Sequence, residues 1–438
     1  MRQSTFAGGI HPPDNKEWSA HKPIESCPLP DEFVVPLSQH IGAPATPCVA
    51  VGDLVMRGQV IGEARGFVSV PVHAPTSGEV VAVESRPHPS GSLLPAVVIR
   101  ADGEDCGCDL PKPTPLEELA PEDILEQIRL AGVVGMGGAT FPAHVKLSPP
   151  PEKPIDTLIF NGVECEPYLT ADHRLMLEET DRLLEGVAVL QHIFPDARLV
   201  IGVEANKPDA IALLQQRCAD SPVEVAPLAV KYPQGAEKQL IKAVTGREVP
   251  SAGLPMDVGV VVQNVGTVAA IADAVLRNQP LIERVCTVTG SAVTEAKNLR
   301  IRIGMPLSHL VEVCGGLVAE PGKIILGGPM MGMAQVGFDV PTTRGTSGLL
   351  LLPEEELVLQ DAGPCIRCAR CVQACPANLL PTTIAAYGRL DRLEEAEQYR
   401  ALDCIECGCC SYSCPAAIPL VQTIRYAKAA ILARKRSG

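Results

Sequence analysis

CIRCARCVQACP (365–376) and CIECGCCSYSCP (404–415) are the two stretches on which the reading of this chain turns. Each has the form C-x2-C-x2-C-x3-C-P. The first supplies Cys365, Cys368, Cys371 and Cys375, and the second supplies Cys404, Cys407, Cys410 and Cys414. Thiolates are the ligands that soft iron–sulfur clusters take. At this spacing three cysteines wrap one cubane and the fourth reaches across to the other. The runs therefore predict two [4Fe–4S] clusters, one on Cys365, Cys368, Cys371 and Cys414, the other on Cys404, Cys407, Cys410 and Cys375. The alternative is a zinc scaffold, whose C-x2-C pairs need neither the third cysteine nor the trailing Cys-Pro. Cys409 reads as a spare packed thiol. Between the runs, residues 378–403 repeat apolar positions at helical spacing, which predicts a mostly helical, ferredoxin-like module.

The rest of the chain sets limits. Its 438 residues suffice for about three domains, and 46% hydrophobic content sustains real cores. Abundant Pro and Gly with few aromatics favour several turn-rich modules over one long bundle. A net charge of −14 argues against a nucleic-acid binder. The start, MRQSTFAGGIHPP, lacks the apolar core of a signal peptide. With that, the clustering of cysteines at the C-terminal end points to metal ligation in a reducing compartment and not to a disulfide scaffold. No transmembrane helix is expected, because the most apolar stretch, 258–276, is broken by Gln263, Asn264 and Asp273. Residues 418–438 read as an amphipathic helix with a basic end, either touching acidic lipid or a membrane protein, or packed on the cluster module.

Single-electron wires need a donor. PEDILEQIRLA (121–131) reads as an amphipathic helix opened by Pro121 and ended by Gly132. GVVGMGGATFPAHVKL (132–147) follows. Its Gly135, Gly137 and Gly138 leave backbone N–H groups open to a phosphate, with Lys146 as a nearby cation. IDTLIF (155–160) is a buried-strand run leading into NGVECEPYLTADHR (161–174). Asn161, Glu164, Glu166 and Asp172 thus fall at and beyond the carboxyl end of a strand, where open α/β sheets bind nucleotides and where carboxylates bond ribose hydroxyls. A further strand is expected in 198–207, a loop and helix ended by Gly246 in 231–246, and a strand-to-helix junction at Asn264 and Thr267.

Together these segments resemble the NADH-binding flavoprotein subunit of respiratory complex I. Its flavin loop is similar to GVVGMGGATFP with Lys146, its Asn-and-acidic loop to NGVECEP, its Tyr-containing loop to YPQGAEK, and its Asn-Val-x-Thr turn to NVGT. The resemblance implies that Gly135, Gly137, Gly138, Lys146, Asn161, Asn264 and Thr267 line a non-covalent FMN. It places Glu164, Glu166, Tyr232 and Glu237 nearer the nicotinamide nucleotide, with Gly235 a cofactor-binding residue of the same Tyr-containing loop and NADH as substrate. Thr140 and Ala236 depart from that family's pattern. A broader resemblance is carried by FAGGIHPPDNK (6–16) and PLSQHIGAPATPCVAVGDLVMRGQVIG (36–62). With these, nearly the whole chain is similar to the RnfC (RsxC) family of the Rnf ion-translocating electron-transport complexes. The family implies electron exchange between NADH and ferredoxin coupled to Na+ or H+ movement. It also implies membrane-bound partners, notably the ferredoxin-like RnfB protein, ferredoxin or flavodoxin indirectly, and a peripheral place on the cytoplasmic face of the bacterial inner membrane. Cobalamin reductases of microcompartments resemble the flavin and cluster regions but lack the N-terminal segment. An electron-relay adaptor without flavin is the other reading.

The expected architecture is multidomain α/β. Residues 1–112 form a lipoyl- or biotinyl-like β half-barrel, with Arg65 and Gly66 where a carrier lysine would stand. A Rossmann-like FMN/NADH domain spans 113–280, a β-grasp module 281–345, and the two-cluster module 346–438. No side chain is nominated as nucleophile or general base. Cys106 and Cys108, His73 and His88, and the group Met330, Met331 and Met333 read as bystanders or packing.

Overall fold

The computed structural model describes residues 4–357 and 360–437. A parallel sheet of four strands forms its middle, in the spatial order Val223–Leu228, Arg198–Glu204, Thr157–Gly162, Val260–Asn264. In chain order that is third, second, first, fourth. The winding reverses between Thr157–Gly162 and Val260–Asn264, and Asn161 stands in register with Asn264 at their carboxyl ends. Such a reversal opens the crevice where sheets of this kind take ligands.

Strand side chains alternate between two apolar layers. Leu158, Phe160 and Val261 pack with the helices Pro121–Leu130, Thr180–Ile193 and Val265–Arg277. Ile159, Val260 and Val262 pack with Leu240 and Ile241 of Glu237–Thr245. Pro121 opens its helix, and Gly246 closes Glu237–Thr245 in the left-handed conformation. The side-chain oxygen of Asn264 accepts the Gly266 and Thr267 N–H groups and caps Val265–Arg277.

An antiparallel sheet in the order Glu32–Pro36, Leu93–Ala101, Gly78–Pro87, Leu54–Val55 shares one core with the small sheet Thr46–Pro47, Val60–Glu63, Val72–His73. Phe33, Val35, Ile61, Val72 and Val97 fill it. A six-stranded mixed sheet continues that core. Its edge strand Ile24–Ser26 comes from the N-terminal segment and runs parallel to Lys297–Arg302. Gly348–Pro353 lies between Glu283–Thr289 and Pro321–Leu326. The sheet therefore extends past the boundary expected at residue 345. The polar run before that strand is not a linker, since Thr342, Arg344 and Thr346 are buried.

The C-terminal module is helical, with Pro381–Arg389, Leu393–Gln398 and Leu420–Ser437 around Ile384, Leu393, Ile424 and Ile431. The last helix turns its apolar face onto this core. Near its basic end Arg434 pairs with Glu394 at 2.9 Å and Lys435 with Glu397 at 2.5 Å. The helix Leu420–Ser437 is packed on the cluster module through its apolar face. Among the described residues no helix is long and apolar enough to cross a membrane.

Candidate functional site

Cys365, Cys368, Cys371 and Cys414 line one cavity of about 220 Å3. Cys375, Cys404, Cys407 and Cys410, with Cys409, line a second of about 20 Å3. This is the crossed grouping that the spacing predicts: each run lends its fourth cysteine to the other. The thiols ring volumes; among the described residues no three His, Cys, Asp or Glu side chains converge on a point fit for a single ion. The donor chemistry fits clusters. Backbone N–H groups of Arg367, Leu379 and Glu406 each point at a cysteine sulfur at 3.4 Å, the kind of hydrogen bond that tunes a cluster. Burial pushes the Cys404 thiol up to about 11 and Cys410 up to about 12. Bound iron would supply positive charge that favours their thiolate forms.

The two cages differ in exposure. Cys365 and Cys368 are exposed, and Ile366 between them is 67% exposed. In the other cage Cys375, Cys407 and Cys410 are buried, and Cys409 is fully so. Cys409 packs in a small apolar cluster with Ile10, Tyr232, Ala374 and Cys407. The buried cage thus faces the central sheet domain, and the exposed cage faces outward.

The crevice at the strand reversal is built as one hydrogen-bonded chain. Gly135 N–H donates to the Phe141 carbonyl at 2.9 Å, closing the glycine loop. Met136 N–H donates to Thr267 Oγ1 at 2.9 Å and seats the loop over the N-terminus of Val265–Arg277. A Cβ at Gly137 would lie 3.2 Å from Asn264 Cβ, whereas the space beside Gly138 is open. The N–H groups of Gly135, Met136, Gly266 and Thr267 are taken by protein acceptors, and it is the positive end of the helix Val265–Arg277 that favours an anion at this edge. A cradle that a Cβ at Gly137 would narrow is also what close approach of a flavin needs.

Asn264 Nδ2 donates to Asp172 Oδ2 at 2.7 Å. Burial, and then the neighbouring Glu164, push the Asp172 carboxyl up to about 7. Glu164 in turn accepts the N–H groups of Asp172 (2.7 Å) and His173 (3.3 Å), capping the helix Ala171–Glu178. Asn161 Nδ2 donates to the Gly235 carbonyl at 2.9 Å. Lys146 pairs with Glu237. Gly135, Gly137, Gly138, Lys146, Asn161, Glu164, Gly235, Glu237, Asn264 and Thr267 are therefore brought together.

Two expected residues lie to one side. Glu166 accepts the N–H groups of Met330 (3.1 Å) and Met331 (2.8 Å) from the six-stranded sheet domain. Tyr232 is 2% exposed, and its hydroxyl donates to the Cys407 carbonyl at 2.9 Å. Of the methionine group, Met330 packs against the cluster of Ile10, Tyr232, Ala374, Cys407 and Cys409. Met331 and Met333 are exposed, and the backbone of Met330 and Met331 is what engages Glu166.

Four buried cations carry no signal in the sequence reading, and one of them, Lys207, donates from Nζ to the Val163 carbonyl at 2.8 Å. Lys16 Nζ donates to the carbonyls of Glu164 (3.0 Å), Glu166 (2.9 Å) and Leu169. Arg284 donates to the carbonyls of Met136, at 3.4 Å, and Arg344. Arg344 donates to the Pro71 carbonyl at 2.8 Å beneath Gly132. Lys16 lies in the quoted segment 6–16; nothing marks either arginine.

Four family models match the chain in series. They are an RnfC barrel sandwich hybrid domain over residues 4–104, a Nuo51 FMN-binding domain over 128–273, an SLBB domain over 285–334 and a 4Fe-4S dicluster domain over 357–415. Full-length relatives are found among ion-translocating oxidoreductases, in each case the C component of the complex. That of the proton-translocating ferredoxin:NAD(+) oxidoreductase complex of Clostridium ljungdahlii is 50% identical over 97% of this chain and 93% of that protein. Its counterpart in the Na(+)-translocating ferredoxin:NAD(+) oxidoreductase complex of Acetobacterium woodii is 49% identical over 100% of this chain and 99% of that protein. The one from the ion-translocating oxidoreductase complex of Rhodobacter capsulatus is 44% identical over 99% of this chain and 85% of that protein.

Proposed function

We propose the following role for this chain, which belongs to the RnfC family of ion-translocating ferredoxin:NAD(+) oxidoreductase components. It is the NADH-exchanging peripheral subunit of a membrane-bound Rnf complex, in which electron transfer between NADH and ferredoxin drives Na+ or H+ across the membrane. The protein supplies position and electrostatics, and its FMN and two [4Fe–4S] clusters supply the redox chemistry. A bound FMN would supply two-electron hydride exchange with NADH and one-electron exchange with the clusters, which would carry single electrons.

The residues have separate tasks. Backbone at Gly135, Gly137 and Gly138, with Lys146 and the helix N-terminus at Thr267, holds the flavin phosphate end. Asn161 and Asn264, adjacent across the strand reversal, line the flavin. Glu164, Gly235 and Glu237 form the nicotinamide side, where the two carboxylates disfavour the extra phosphate of NADPH; Glu166 and Tyr232, engaged by Met330, Met331 and Cys407, tie this side to the neighbouring domains. Cys375, Cys404, Cys407 and Cys410 hold the inner cluster. Cys365, Cys368, Cys371 and Cys414 hold the outer one, at the surface where a partner protein takes the electron.

The domains follow: a lipoyl-like barrel within 1–112, a Rossmann-like flavin domain of complex I type over 113–280, a β-grasp module from 281 with its last strand ending at Pro353, and the cluster module to 438. Such a protein sits on the cytoplasmic face of the bacterial inner membrane, held by its partners, including the ferredoxin-like RnfB protein. Ferredoxin or flavodoxin is reached through them.

The contact between Tyr232 and Cys407 supports this route above all, because it joins the flavin domain to the inner cage through one hydrogen bond. Anaerobic titration with NADH tests it. Flavin absorbance should bleach and cluster absorbance should then fall. Brown protein that ignores NADH and releases no flavin on denaturation leaves an adaptor in place of this enzyme component.

A further inference from the structure

The segment Phe6–Lys16 has no part in the route above, yet it lies between the flavin domain and the inner cysteine cage. It makes contacts on both sides. Ile10 and Tyr232 exchange backbone hydrogen bonds at 2.8 and 2.9 Å. Lys231 Nζ donates to the Phe6 carbonyl at 2.8 Å and stands over the Phe6 ring. On the other side Gly9 N–H donates to the Ala374 carbonyl at 2.9 Å, next to the ligand Cys375. The Ile10 side chain packs against Ala374, Cys407 and Cys409. Lys16 then fixes the far end to the loop 164–169, and the Asp14 carbonyl accepts the Tyr168 N–H at 2.7 Å.

The two adjacent glycines fit this position and no larger residue does. Both have positive φ, +76° at Gly8 and +80° at Gly9. A Cβ at Gly8 would sit 2.7 Å from the Cys375 carbonyl oxygen, and one at Gly9 would sit 2.7 Å from the Tyr232 carbonyl oxygen. Each meets backbone, which cannot swing aside. The backbone of the segment is thus pressed against the cage on one face and against the flavin domain on the other.

We infer that the N-terminal segment Phe6–Lys16 is a spacer strap that sets how closely the inner cluster cage is held to the flavin domain, and thereby the rate of electron passage between them. Gly8, Gly9 and Ile10 are positioning residues, acting through Cys375, Ala374, Tyr232 and Cys407. The inference rests on the NADH–flavin–cluster route proposed above.

The test compares the full chain, loaded with FMN and iron–sulfur clusters, with Gly8→Ala, Gly9→Ala and Ile10→Ala. Flavin and iron content are measured first, then amide hydrogen exchange over 370–376 and 404–410, then flavin and cluster bleaching after anaerobic mixing with NADH. The strap predicts parental flavin bleaching, faster exchange at the cage, and cluster bleaching slowed severalfold. Gly8→Ala presses on a ligand residue and could cost the cluster itself; Ile10→Ala adds no bulk and removes only the packing of the strap on Ala374, Cys407 and Cys409. Unchanged exchange and unchanged cluster bleaching in Gly9→Ala and Ile10→Ala, both cofactors being present, overturn the inference. So does loss of the inner cluster in both, which makes the segment part of the cage. Failure of the underlying route shows differently: the parent protein itself then fails to bleach with NADH.

Discussion

Glu166 stands just beyond a strand's carboxyl end, where a carboxylate reads as a nucleotide ligand, yet its two oxygens accept the Met330 and Met331 N–H groups. Burial outweighs those bonds and pushes its carboxyl up to about 7. A carboxyl raised in the folded state binds more protons folded than unfolded between its ordinary value and about 7. Folding stability from this group is therefore full below that window, falls as pH rises through it, and is level above it. Glu166→Gln lacks the titration. Its thermal midpoint, relative to the parent, should shift upward between pH 5 and pH 7.5, and a constant difference across that range would refute the assignment. Asp172 titrates in both proteins and cancels. At the glycine loop the expectation is steric. Gly137→Ala places a methyl 3.2 Å from Asn264 Cβ and should lower FMN affinity by about tenfold, roughly 1.4 kcal/mol, with the iron content unchanged. Equilibrium dialysis of the flavin and an iron assay measure the two separately. The legible residues are those whose signal is local. Eight cysteines announce themselves because each run fits within a dozen positions. Lys16 and Arg284 do not, because what buries them is distant in sequence: the Glu164 carbonyl is 148 positions from Lys16, and the Met136 carbonyl is 148 positions from Arg284. A buried cation and a solvated one are the same letter until the chain is folded.

Elements are easier to read than their allegiances. The strand at Thr157–Gly162, the capped helix at Val265–Arg277 and the helices between the cysteine runs follow from apolar periodicity and punctuation. Which sheet a strand joins does not follow from periodicity. Ile24–Ser26 crosses from the N-terminal segment to Lys297–Arg302, and Gly348–Pro353 completes the same sheet from beyond a polar run. The C-terminal helix is ambiguous in sequence because its basic end suits lipid as well as solvent; pairing with Glu394 and Glu397 and burial of Ile424 show one face packed on the cluster module. Ile424 is 1% exposed, so Ile424→Ala should destabilise the cluster module by about 2–5 kcal/mol. Cluster absorbance followed in guanidinium should show an earlier loss in the variant, while flavin fluorescence reports the central domain unchanged. Equal midpoints for the clusters would mean that this helix contributes little to the module.

At the scale of the whole molecule the two cages are ordered by what surrounds them. The inner cage touches Tyr232 and the strap, and the outer cage carries exposed Cys365, Cys368 and Ile366. A single-electron path through such an arrangement has a direction in space, whatever its direction in the cell: the flavin domain at one end, a partner surface at the other. Removing one cage at a time should therefore give unlike results. Cys368→Ala should halve the iron from about eight to about four per chain, leave NADH-driven bleaching of flavin and of the remaining cluster intact, and abolish reduction of an external one-electron acceptor that docks at the outer surface. Cys404→Ala should remove the same amount of iron but leave a cluster that dithionite reduces and NADH does not. If the two variants behave alike towards NADH, the cages are not in series. The path would then branch at the flavin, and the contact at Tyr232 would be a structural seam and not the way in.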